Sequence, residues 1–214
     1  MKKTIIIVSI IVVVAILGFV AYSLSISKKV PQTFIDKHNE KVALEKEVAQ
    51  VSDLNNLPEW NDFNTQMGVN NYADASKSIV VALSKKEEAS AKLDAINIKL
   101  SELESISKEI TDSEVKTSAD NFIEIAKKDN SAKITYNDLQ IQMIKELKTM
   151  VDILAINSEA ISAEDEKIIN DASDAINGLK TQIDEAENEL NIIQSQYVII
   201  EKDFFELIGL EAVE

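Results

Sequence analysis

The chain has no cysteine, and every basic side chain among its 214 residues is a lysine; arginine is absent. Without cysteine there can be no disulfide, no thiolate nucleophile and no thioether-linked lipid. Without arginine the planar fork that grips phosphate or carboxylate bidentately is missing. Glycine and proline are scarce, at 4 and 2 residues. Turns must therefore be few and the elements between them long. The isolated glycines Gly18, Gly68, Gly178 and Gly209 make no phosphate loop or dinucleotide-binding turn. One histidine, His38, is all that a His-dependent catalytic arrangement could use. It is expected at a surface or boundary position. The residue three before it is Ile35, so the Glu-x-x-His pattern of helical di-metal proteins fails.

What the chain does contain is acid, lysine and aliphatic residues. The formal net charge is −15. Such a surface repels a phosphate backbone, so no nucleic-acid partner is expected. The acidic clusters Glu159/Glu164/Asp165/Glu166 and Asp184/Glu185/Glu187/Glu189 read as solvated faces, with no calcium-loop glycine among them. No metal or cofactor is expected, and no nucleophile or base stands out from its neighbours. The sequence points away from an enzyme.

Residues 5–26 (IIIVSIIVVVAILGFVAYSLSI) carry no charge. As a helix they would span roughly 33 Å, enough for a hydrocarbon core of about 30 Å. The length favours a retained signal-anchor over a cleaved leader, although a cut after Ala21-Tyr22-Ser23 stays open. Lys2 and Lys3 favour an N-inside orientation, partly offset by Lys28 and Lys29. The expected location is a cell membrane crossed once, with residues 30–214 extracytoplasmic.

The rest divides into a linker helix with a short aromatic helix over 30–68 and a long helical-bundle domain over 69–214. Thr33 is expected to cap a helix that runs to about Leu54. Pro58 suits the first turn of a short helix carrying Trp60, Phe63 and Met67, closed by Gly68. Three long helices follow. The first has a heptad seam from Ile79 to Ile110, with Lys86 and Ser107 as its polar exceptions. Thr111 and Glu114 then form a capping box for a helix over about 112–156, in which the polar stretch Lys127–Lys133 is a weak point or a break. In the last helix, capped by Ser162 with Asp165, apolar residues recur at alternating spacings of three and four from Ile169 to Leu207. The expected fold is all-α: a transmembrane helix, then an antiparallel bundle or coiled coil of three long helices and one shorter.

The layout of one N-terminal anchor and a helical domain resembles that of LemA proteins and of the periplasmic sensor domains of chemoreceptors. The resemblance is to the layout alone, and no residue role comes with it.

Two apolar groups are candidate partner-binding surfaces as well as candidate core: Phe204, Phe205, Leu207, Ile208 and Leu210 near the C-terminus, and Trp60 with Phe63 beside the Pro58 break. The function expected is that of a structural scaffold or protein–protein interaction module of the cell envelope, with a protein partner or self-association. The alternative is an extracytoplasmic ligand-binding, sensor-like domain that works with a separate membrane protein.

Overall fold

The computed structural model describes residues 30–157 and 160–210. Among them every regular element is helical, as the seams require: α1 (Gln32–Ala49), a 3-10 turn (Leu54–Asn56), α2 (Pro58–Gly68), α3 (Tyr72–Ser107), α4 (Ser113–Asn157) and α5 (Ala163–Leu207). The span expected over residues 5–26 lies outside the described residues. Among those described, no helix is long and apolar enough to cross a membrane.

The helix ends follow local chemistry, with three departures from the expected caps. Pro31 closes the incoming chain, and α1 begins at Gln32, so Thr33 lies inside the first turn; the Phe34 N–H reaches back to the Pro31 carbonyl at 3.0 Å. α1 also stops at Ala49, short of Leu54. Asp112, not Thr111, caps α4: its Oδ1 accepts from the N–H groups of Glu114 and Val115, both at 3.0 Å. An aspartate can satisfy two orphan donors at once and carries the charge favoured at a helix N-terminus. At α5 the expected cap forms, Ser162 Oγ accepting from the Asp165 N–H at 3.1 Å and donating to its carboxylate at 2.8 Å. Gly209 closes α5 at φ +82, with the Leu210 N–H on the Phe205 carbonyl at 2.8 Å. That left-handed residue is where a side chain would be strained.

Helix α4 is continuous through Lys127–Lys133; the expected weak point is not a break. The physical reason lies inside. Asp129 and Asn130 are buried, Asp129 pairing through Oδ2 with Lys133 and Asn130 donating to the Leu93 carbonyl and to Asn97, so the polar stretch is a core stripe and not a solvated linker.

The chain divides into two compact units. Unit 1 takes α1, α3 from Lys92, α4 up to Lys133, and α5 from Leu190. These four segments alternate in direction. Contacts between α1 and α3 pair early residues with late ones, Lys37 with Glu102 at 3.2 Å and Glu47 with Lys92 at 3.1 Å. Lys127 of α4 meets Glu104 of α3 at 2.6 Å. Each such exposed pair adds at most about 1 kcal/mol, so these pairs fix register more than stability. The apolar interior is aromatic at one level: Phe204 lies 5.4 Å from Phe122 and 5.5 Å from Phe34, ring centre to ring centre.

Unit 2 takes the 3-10 turn, α2, the first part of α3, α4 from Ile134, and α5 up to Glu189. Leu54, Leu57, Phe63, Ile79, Ile144, Val151, Ile176 and Leu179 form its core. α3 and α4 are antiparallel here, with Ser76 Oγ donating to Asp152 at 2.6 Å and Asn137 Nδ2 donating to the Lys86 carbonyl at 3.2 Å. Lys86, one of the expected seam exceptions, is fully buried. Its ammonium donates to the carbonyls of Ser52 at 2.9 Å and Val51 at 3.3 Å, satisfying backbone acceptors of the chain beyond α1. Burial nevertheless pulls its pKa down to about 7, against a smaller opposing pull from Asp53.

Candidate functional site: a buried ionic cluster in unit 1

α1 is helical for ordinary reasons, yet its inward stripe is not apolar. Phe34, His38, Lys41, Glu45 and Val48 recur at spacings of four and three, the spacing of a core-facing seam. A histidine, a lysine and a glutamate therefore enter the interior on consecutive turns. α4 presents Asp129 and Lys133 to them, one turn apart, and α5 presents Tyr197 and Glu201, also one turn apart.

The contacts are continuous. Lys41 Nζ, with no exposed surface, donates to Glu45 Oε2 at 2.7 Å and to the Tyr197 hydroxyl at 2.9 Å. The Tyr197 hydroxyl donates in turn to Glu201 Oε1 at 2.5 Å. Glu201 Oε1 lies 3.7 Å from His38 Nε2. Lys133 pairs with Asp129 at 2.5 Å and stands 3.8 Å from Glu45. Lys41 Nζ also sits 5.1 Å from the centre of the Tyr197 ring, within reach of a cation–π attraction. The polar groups are walled by rings: His38 lies 4.6 Å from Phe205 and 5.6 Å from Phe122.

Burial and charge act in opposite directions on these groups. Desolvation dominates at His38, and together with Lys41 pulls its pKa from 6.5 to about 3, so the imidazole is neutral at physiological pH. Desolvation raises the carboxyl groups of Asp129 and Glu201 above the ordinary range, more than the lysines lower them. Burial also pushes up Glu45, but Lys41 and Lys133 outweigh it and hold that carboxylate below its usual value. The Tyr197 hydroxyl is raised well above 10 by burial and by Glu201, so it remains a donor. Two side-chain atoms of the cluster, His38 Nδ1 and Asp129 Oδ1, have no hydrogen-bond partner among the described residues.

Lys41, the Tyr197 hydroxyl and Glu201 form one hydrogen-bonded chain that links α1 to α5. Among the described residues there is no group of three His, Cys, Asp or Glu side chains that could hold a metal ion.

The residues singled out in the sequence fall mostly elsewhere. Phe204, Ile208 and Leu210 are buried in unit 1, and Phe63 in unit 2. Phe205, Leu207 and Trp60 are half-buried; Trp60 stacks on Phe63 at 5.3 Å and packs on the core of unit 2. His38, expected at the surface or a boundary, is instead buried in the ionic cluster. The α1 stripe was detectable in principle from its 34/38/41/45/48 spacing, but polar residues at seam positions look the same as a solvated face.

Unit 1 exposes apolar residues on the outside of α5, besides Ile98 on α3. Ile192 and Ile199, one heptad apart, keep 62% and 60% of their surface in solvent, and Val198 is exposed beside them. Residues 190–200 (LNIIQSQYVII) carry no charge, in a chain that is 28% charged.

No family model matches the chain, no curated protein matches it in sequence, and no solved structure matches it in fold.

Proposed function

We propose that this chain is a membrane-anchored, extracytoplasmic helical bundle that works as a scaffold or protein–protein interaction module of the cell envelope. The observation that carries the interaction role is the uncharged outer band of α5, with Ile192, Val198 and Ile199 exposed. Aliphatic side chains spaced one heptad apart on an outer face suit side-on packing against another helix. The interior lends support of a different kind: helix α5 uses its seam for its own bundle, since every seam position from Ile169 to Leu207 is buried or half-buried. A partner that packs on α5 must therefore use its outer face. The anchor and its orientation rest on the uncharged run 5–26 and its flanking lysines. Helical packing needs no cofactor and no catalytic group, and the reading is of a binding protein, not an enzyme.

The test compares the wild-type chain with Ile192→Asp/Ile199→Asp, both extracted from membranes in mild detergent and run on native gels. The wild type is expected in an assembly larger than the chain with its micelle, and the double variant at the size of the chain alone. Both residues are exposed, so the variant leaves the bundle itself folded. Equal migration of the two at the size of the chain alone argues against the role.

A further inference from the structure

We propose that the interior of unit 1 is a proton-dependent clasp: the two ammonium groups of Lys41 and Lys133 face the three carboxyl groups of Glu45, Asp129 and Glu201, so the cluster is electroneutral only while it keeps one carboxyl proton, and loss of that proton loosens α1 from α4 and α5.

The charge count follows from the contacts. Lys41 and Glu45 pair on α1, and Lys133 and Asp129 pair on α4. Among the described residues, Glu201 of α5 has no cation within salt-bridge distance except His38, at 3.7 Å. The hydroxyl of Tyr197 joins Glu201 to Lys41 without supplying a charge. From α3 no charged side chain enters: Lys92 and Lys99 pair outward with Glu47 and Glu40, and Asn97 reaches α4 through Asn130. With His38 neutral, one negative charge is in excess. An unpaired charge held largely away from water is strongly disfavoured, whereas one proton on Glu201 or Asp129 removes the excess. Both carboxyl groups are displaced in the direction that keeps a proton.

The geometry also gives the proton a way in. Asp129 and Lys41 are sealed at 1% and 0% side-chain exposure, but Glu201 keeps 27% of its side chain in solvent. Lys133 and Glu45 are open to a similar degree, at 24% and 22%, so Glu201 is the member that is both displaced toward keeping a proton and open to solvent. A proton taken up or released there is felt at Lys41 through the Tyr197 hydroxyl and at His38 directly. The three helices that meet at the cluster share no covalent link near it, so α1, the shortest of them, is the element released first. This inference concerns the interior and does not depend on what the outer face of α5 binds.

The sign is fixed by the shifts. A carboxyl group whose folded pKa lies above its unfolded value contributes stability that is fully present below the unfolded pKa, about 4, and is lost as pH rises through the folded pKa. Glu201→Gln and Asp129→Asn are near-isosteric and permanently neutral, and should remove the loss.

The experiment is hydrogen exchange by mass spectrometry on the full chain in detergent, wild type against each variant, at pH 5 and pH 8. The reading is the ratio of protection factors, variant over wild type, for amides of α1 between His38 and Val48. The same ratio is taken for α2 as a reference in unit 2. One proton linked to opening changes protection tenfold per pH unit within the window. The expected result is that the α1 ratio rises more than twofold from pH 5 to pH 8 with one or both variants, while the α2 ratio stays within twofold. An α1 ratio that is constant with both variants overturns the clasp, as does a rise of equal size in α2. Carboxyl carbon NMR of the wild type gives a second reading that needs no variant. Asp129 or Glu201 must titrate above the ordinary carboxylate range, and ordinary values at both overturn the proposal.

Discussion

Lys41 on α1 and Tyr197 on α5 are 156 residues apart in the chain, yet the lysine ammonium donates to the tyrosine hydroxyl at 2.9 Å, with no part of the lysine exposed. A lysine can be sealed in this way only if its partners are supplied at the same time, and Glu45 and Tyr197 supply them. Removing one member should be costly, because it leaves the others buried and uncompensated. Lys41→Met is expected to destabilise the fold by about 3–5 kcal/mol. Lys41→Met/Glu45→Leu, which removes both charges, should recover half of that loss or more. Urea unfolding at pH 7, followed by circular dichroism, checks both values.

His38 gives the acid side of the pH dependence. Its folded pKa of about 3 lies below the unfolded value of 6.5. The stability it contributes is therefore fully present above pH 6.5 and is lost as pH falls from there toward 3. His38→Leu should abolish this component. Between pH 8 and pH 5 the wild type is expected to lose about 2 kcal/mol more than the variant, at about 1.4 kcal/mol per pH unit. As the only histidine, it can also be followed directly: its imidazole carbon resonances should stay at neutral positions down to pH 5 in the folded chain.

Lys86 does the same in unit 2, at higher pH. Its folded pKa of about 7 lies below the ordinary 10.5, so charging the buried ammonium opposes folding. The stability linked to its neutral form is fully present above pH 10.5 and falls away as pH drops toward 7. Unit 2 should therefore gain about 2 kcal/mol between pH 7 and pH 9. Lys86→Met should flatten that rise. The fluorescence of Trp60, the single tryptophan, reports unfolding of this unit, since its ring packs on the unit 2 core.

Gly178 interrupts the most regular seam of the chain, but it stands on the outer side of α5. A Cβ added there meets nothing within 4 Å, and the residue is exposed. Gly178→Ala should therefore stabilise α5 by up to about 1 kcal/mol, the propensity difference alone. A rise of a few degrees in the thermal midpoint is expected, and a fall would show that the glycine serves a contact on that face.

These outcomes bear on what could be read from the sequence. Helix α5 was legible almost residue by residue, because its seam is aliphatic and a 3.5-residue period has one interpretation. The α3 seam was equally clear, including its two polar exceptions, Lys86 and Ser107, both of which are buried. α1 and the middle of α4 were not legible in the same way. Their inward stripes contain His38, Lys41, Glu45, Asp129 and Lys133, which by type belong in water. Only the partners from other helices make burial tolerable, and partners distant in sequence leave no local trace. The aromatic run at Phe204 and Phe205 carried the opposite ambiguity: its apolar character suited core and partner surface alike, and the packing against Phe34, His38 and Phe122 accounts for it as core.

Lysine crosslinking in native membranes, read by mass spectrometry, tests the interaction role most directly. Lys202 is exposed on α5 one turn beyond Ile199, close enough to report a partner on the uncharged band. The account predicts reproducible links from Lys202 to one other protein, lost in Ile192→Asp/Ile199→Asp while links within the bundle persist. Links confined to this chain, or links to another protein that survive the double substitution unchanged, would contradict it.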